Sequence, residues 1–124
     1  MRVLADTSVW IDHFHRANSR LQALLQGGRV WTHAVVIGEL AAGRLQQRND
    51  ILLHLQKLPR GDEIDLDEGL HLLEQHRLFG RGLSWSDVQL LAAARIDGLS
   101  LWTRDRALIT AAKELGMAHA VGAT

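Results

Sequence analysis

Short apolar runs alternate with longer stretches of helical periodicity along the 124 residues of the chain. That alternation predicts strands joined by crossover helices, and hence an α/β fold with a mainly parallel sheet. Residues 3–5 read as the first strand and 29–32 as the second, separated by helices over 7–15 and 19–26, the latter ended by Gly27-Gly28. Helix resumes over 34–43. Ile51, Leu52, Leu55 and Leu58 recur at helical spacing within 50–58 until Pro59 stops the pattern, and 63–66 is a further candidate strand. Helix is expected again over 67–79, then a Gly80-Arg81-Gly82 loop, a helix over 85–96 closed by Asp97-Gly98, a strand over 99–102, and a last long helix over 106–115. A short strand near 117–121 completes the pattern. There is no internal repeat, low-complexity tract or linker, so one domain spanning 1–124 is expected.

Charge and composition remove several functions. Formal charge is zero, so no global basic field announces nucleic acid. The absence of cysteine excludes disulfides, thiolate zinc sites and cysteine nucleophiles, leaving oxygen and imidazole as ligands. No apolar run approaches the ~20 residues of a membrane span, and the N-terminus meets Asp6 too early for a signal peptide. A cytoplasmic protein is the expectation. No glycine-rich dinucleotide or P-loop motif occurs, and Ser8 and Ser86 have no recognisable histidine–acid partners. His13 and His15 read as solvated helix histidines. Trp10, Trp31, Trp85 and Trp102 each stand in an apolar run and read as core.

Four acids stand apart. Asp6 and Asp105 directly follow predicted strands, where ligands of open α/β sheets bind. Asp87 begins the helix that leads into 99–102. Glu39 is the only formally charged residue between Arg29 and Arg44, and a lone carboxylate in a stretch fit for a core must be paired, protonated or bound to a cation. Each aspartate also has a capping interpretation, Asp6 and Asp105 as N-caps and Ser84 with Asp87 as a capping box. If the four converge, carboxylates about 5 Å apart repel by roughly 3 kcal/mol per pair at an effective dielectric near 20, which a divalent ion would relieve. Hard oxygen donors favour magnesium or manganese over zinc.

The order and surroundings of these acids carry a resemblance. Asp6-Thr7-Ser8 with Trp10 after a first strand, Glu39 in a small-residue helix, Asp87 followed by Leu91-Ala92-Ala93-Ala94, and Thr103-Arg104-Asp105 after a strand together resemble a PIN-domain ribonuclease. The resemblance covers essentially residues 2–121, and a PIN domain filling so short a chain is similar to the VapC-type toxins of toxin–antitoxin pairs. It implies a three-layer α/β/α sandwich and magnesium- or manganese-dependent cleavage of RNA by an activated water. On the matching positions, Asp6, Glu39, Asp87 and Asp105 are implied as the catalytic, metal-binding acids, and Thr7, Ser8 and Thr103 as supporting hydroxyls. A homodimer and a cognate antitoxin whose tail enters the groove are implied as well. With no global positive charge, RNA would be held by a local arginine rim, for which Arg81, Arg104 and Arg106 are the candidates. The alternative is a catalytically idle PIN-like module that binds a protein or RNA partner. A phosphohydrolase with a first-strand nucleophile would want Asp-x-Asp, and position 8 is Ser.

Overall fold

Strand β1 (Val3–Ala5) is the centre of a parallel sheet in the computed structural model of the protein, which describes residues 1–120. It pairs on one side with β2 (Val30–Trp31), Val3 opposite Val30, and on the other with β3 (Ser100–Trp102), Leu4 opposite Leu101. Successive side chains on a strand point to opposite faces. Val3, Leu4 and Ala5 are all 0% exposed, so both faces of the sheet are covered by helices. This is the expected α/β/α arrangement.

The first crossover is α1 (Thr7–His15) and α2 (Ser19–Gln26), ended near Gly27-Gly28 as expected. The second runs through α3 (Ala34–Ala42), α4 (Arg48–Lys57), α5 (Leu66–Gln75) and α6 (Trp85–Asp97), and α7 (Arg106–Glu114) follows β3. The chain moves from β1 outward to β2 and then crosses back over β1 to β3, so the strand order β2-β1-β3 reverses direction between β1 and β3. The carboxyl ends of those two strands therefore flank a crevice of the kind that binds ligands in doubly wound folds. Among the described residues, no helix is long and apolar enough to cross a membrane.

Helix α6 is the core element of the second crossover, with every residue from Val88 to Ala94 buried. Its alanines let neighbours approach closely. A Cβ on Gly61 would lie 2.8 Å from the Ala93 Cβ, so only glycine lets the backbone at 61 pass against α6 while its N–H bonds to the Thr32 carbonyl at 2.8 Å.

Three expectations need correction. Residues 63–66 do not form a strand. The backbone of Ile64 is instead paired by the buried side chain of Gln89, which accepts from the Ile64 N–H at 3.0 Å and donates to its carbonyl at 2.9 Å. The extended contact falls earlier, as a single bridge between Thr32 and Arg60, and an Asp65–Glu68 capping box then starts α5 at Leu66. Helix α5 stops at Gln75 and not at 79, because Arg77 takes a left-handed conformation with φ 51° and the Leu78 N–H turns back to the Leu73 carbonyl. Near the C-terminus the expected strand is reduced to one parallel bridge, Leu101 with Ala118, and position 121 lies outside the described residues.

Gly61→Ala is expected to lose roughly 1–3 kcal/mol in urea denaturation, the usual penalty of an over-packed core. Gly38→Ala, in the middle of α3 with no atom within 4 Å of the methyl it would add, should gain up to about 1 kcal/mol. Equal midpoints for the two variants would refute the close passage at α6.

Candidate active site

The β1–α1 turn places Asp6 at the carboxyl end of the central strand, where its backbone N–H bonds to the Trp102 carbonyl at 2.9 Å. Asp6 is only 7% exposed, and a buried carboxylate is tolerated only when its oxygens are satisfied. They are. Oδ1 accepts from the Thr7 N–H at 2.7 Å, and Oδ2 accepts from the hydroxyls of Thr103 at 2.7 Å and Ser8 at 2.9 Å. The same two hydroxyls hold the turn after β3. Thr103 Oγ1 accepts from the Asp105 N–H at 3.1 Å, and Ser8 Oγ from the Arg104 N–H at 3.0 Å. Two chain segments nearly a hundred residues apart are thereby locked on one carboxylate.

Asp105 is exposed and caps α7, its Oδ1 accepting from the N–H groups of Ala107 at 2.8 Å and Leu108 at 3.2 Å. Asp87 sits in the first turn of α6, accepting from the Ser84 N–H at 2.9 Å in a complete capping box. Glu39 Oε1 accepts from the Thr7 hydroxyl at 2.8 Å, which ties α3 to the turn that carries Asp6. The expectation of a core-embedded Glu39 is wrong: Val36 and Leu40 take the inner face of α3, and Gly38 and Glu39 its exposed face. The capping interpretation of the aspartates is correct, and it does not compete with their clustering. Three helix N-termini, of α1, α6 and α7, supply N–H donors to acids, and their positive ends offset part of the repulsion among carboxylates.

Burial pushes the Asp87 carboxyl above its ordinary value, the Ser84 hydrogen bonds pull it down, and the negative charges of Asp105 and Asp6 push it up again. Three of the four acids therefore lie in one electrostatic field, and Thr7 links the fourth. Among the described residues, no three histidine, aspartate or glutamate side chains stand close enough to enclose an ion by themselves. Magnesium does not require that, because it binds through one or two carboxylates and keeps several waters. The donors are all oxygen, and like charge is crowded at Asp87, so the set fits a hard divalent cation.

The arginine candidates divide. Arg104 is exposed beside the acids, with Nη1 2.9 Å from Asp12 Oδ2, and Arg106 is exposed in the first turn of α7. Arg81 is drawn elsewhere, into an ion pair with Glu114 at the opposite end of α7 from Asp105. Asp12, the partner of Arg104, lies one helical turn beyond Ser8 on the same face of α1, and no local pattern in the sequence marks that pairing. His33 was also missed. It is fully buried and caps the helix that carries Glu39, its Nδ1 accepting from the Val35 N–H at 3.1 Å while Nε2 meets the Asp62 carbonyl at 3.1 Å. His13 is not simply solvated, since its Nδ1 accepts from the Asn18 N–H at 2.9 Å. Nor is Trp85 a core residue: it is 42% exposed, and its ring edge rests on Gly69, where a Cβ would come within 2.1 Å of it.

Known proteins match this chain closely in sequence. The profile of the PIN domain family matches residues 3–114. A protein named Ribonuclease VapC32, from two strains of Mycobacterium tuberculosis, is 43% identical over 119 residues, covering 95% of this chain and 96% of its own. Among solved structures, PAE2754 from Pyrobaculum aerophilum superposes with a TM-score of 0.57 over 89% of this chain and 78% of its own, at 21% identity, a likeness of fold.

The Asp87 shift has a measurable sign. A carboxyl whose folded pKa is raised holds its proton more tightly when folded, so stability falls as pH rises from the unfolded value near 3.8 through the raised one. Asn at this position carries no charge and keeps an oxygen for the Ser84 N–H. With chelator present, Asp87→Asn should melt about 1–3 °C above the parent at pH 7, and the margin should vanish below pH 4. A margin independent of pH would show that the Asp87 carboxyl is not raised in the folded protein.

Proposed function

Because the chain belongs to the PIN domain family, we propose that it is a magnesium- or manganese-dependent endoribonuclease acting as the toxin of a toxin–antitoxin pair. The observation that carries this reading is the 43% identity to Ribonuclease VapC32 across 95% of the chain. Asp6, Glu39, Asp87 and Asp105 are the residues that would hold the cation. When bound, such an ion lowers the pKa of water and neutralises charge building on a phosphodiester.

The chain's own residues have separable roles. Asp6 cannot swing away, because Thr7, Ser8 and Thr103 fix both of its oxygens. Asp105 and Glu39 present exposed carboxylates, and Asp87 contributes a carboxyl whose charged form burial and the charges of Asp105 and Asp6 disfavour and a nearby cation would stabilise. Arg104 and Arg106 are exposed next to Asp105 in the chain, and their charge would supply the local attraction for RNA that the neutral chain lacks overall. An antitoxin would inhibit by offering the acids an arginine or lysine, whose charge would replace that of the cation. The protein is expected to act in the cytoplasm, as a homodimer.

The test is cleavage of single-stranded RNA by purified protein with magnesium or manganese, set against chelator. Cleavage should need the ion, and Asp6→Asn should reduce it by on the order of 100-fold or more. Expression in a bacterial host should arrest growth, and co-expression of the short reading frame beside its gene should restore it. Undiminished cleavage by Asp6→Asn would overturn the assignment of the centre, and unimpaired growth at verified expression would favour an idle binding module.

A further inference from the structure

Beside the acids the fold leaves a cavity of about 320 Å³. Val9, Trp102 and Thr103 form its floor and are themselves buried, while Asp12, Asn18 and Arg104 stand on its rim. The cavity and the acidic centre share a wall. Thr103, on the floor, donates its hydroxyl to Asp6 at 2.7 Å, and the backbone of Arg104, on the rim, donates to Ser8 at 3.0 Å. A group seated here lies one side chain away from Asp6. The volume is at the small end of the ~300–1,000 Å³ typical of ligand sites, which suits one planar ring system and not a folded partner or a duplex.

The lining says what kind of ring. Val9 and Trp102, with Ile109 from α7, give apolar walls, and the rim carries both signs of hydrogen-bonding capacity. Asp12 and Arg104 form an exposed ion pair at 2.9 Å, a kind of contact that adds little to stability and can be opened by a ligand without endangering the fold. The Asn18 side-chain oxygen is committed to the N–H groups of Arg20 and Leu21, both at 3.0 Å, so its amide hydrogens are what it can offer.

We propose that this cavity is a base-binding subsite: one unstacked base of single-stranded RNA beside the cleaved bond enters it, and the Asp12–Arg104 pair reads its edge. A carboxylate needs N–H donors, and a guanidinium needs an acceptor. Guanine presents N1–H and N2–H next to O6, so it satisfies both charged groups at once, and sequence-selective RNA proteins characteristically read splayed bases along such edges. The subsite rests on the ribonuclease reading and adds to it the residues that choose where the strand is cut.

Two measurements on the full chain test it. Parent and Asp12→Asn proteins are given a randomised pool of single-stranded RNA with manganese, and the cut ends are sequenced. The parent should favour guanine at one position next to the cut, and the variant should lose that preference by roughly 10-fold or more. Independently, guanosine 5′-monophosphate should shift the amide resonances of Asn18, Trp102 and Arg104 in chelator-treated protein, more than the adenosine, cytidine or uridine nucleotides do. An unaltered base profile in Asp12→Asn, including one accompanied by a uniform drop in cutting, would make Asp12 a prop for Arg104 and overturn the subsite. If the parent cuts no RNA, the ribonuclease reading fails by itself, and the nucleotide titration still decides the cavity: resonance shifts confined to other regions, or equal for all four nucleotides, would refute it.

Discussion

A single buried carboxylate organises this protein's functional end. Asp6 accepts hydrogen bonds from the Thr7 N–H and from the hydroxyls of Ser8 and Thr103, and those two hydroxyls in turn hold the backbone of residues 104 and 105. A charge with so little exposure is retained where both of its oxygens are hydrogen-bonded, and that bonding here requires the turn after β1 and the turn after β3 to meet. The parallel pairing of β1 with β3 brings them together, and the reversal of strand order between these strands leaves the space above them open. Removing the Thr103 hydroxyl would take one hydrogen bond from the Asp6 carboxylate and one from the Asp105 backbone together, because one oxygen serves both.

Asp105 follows from the same geometry. Strands β1 and β3 each feed a helix whose start is a cluster of N–H donors, so Asp6 and Asp105 are at once caps and carboxylates delivered to the carboxyl edge of the sheet. Asp87 joins the capping box of α6 after a loop, and Glu39 lies within α3. Capping and clustering are one device. The helix ends offset part of the crowding, though not all of it, as the upward push on Asp87 from Asp105 and Asp6 shows. The excess negative field is what a divalent cation, or the basic side chain of an inhibitor, would meet. Burial and the neighbouring carboxylates make the charged form of Asp87 costly to the fold, a trade common at functional sites.

Much of this was legible in the chain because the deciding signals are local. Residues 3–5, 7–15 and 19–26 match the observed elements because apolar period, capping residues and terminal glycines agree. Asp6 and Asp105 are marked by their positions after strands, Glu39 by its isolation between Arg29 and Arg44, and Asp87 by its place at the start of a helix. What failed was decided by contacts across the fold. Ile64 lies in a stretch with strand-like pattern but is paired by a glutamine from α6, and α5 ends at an arginine in a conformation usually left to glycine. Glu39 was expected to be buried because its neighbours are apolar, yet a nine-residue helix of small side chains can turn one face outward. The pairing of Arg81 with Glu114, and of Arg104 with Asp12, depends on which helices lie side by side, which no local pattern records.

Paramagnetic manganese distinguishes a shared cation centre from four independent caps most directly. Titrated at substoichiometric levels into isotope-labelled protein, manganese should first broaden the amide signals of residues 6–8, 39, 87 and 103–105 as one group, and Asp6→Asn should weaken the effect across the whole group. Broadening that begins at the acidic start of α5, around Asp65, Asp67 and Glu68, or that is unchanged by Asp6→Asn, would contradict a cation centre built on Asp6.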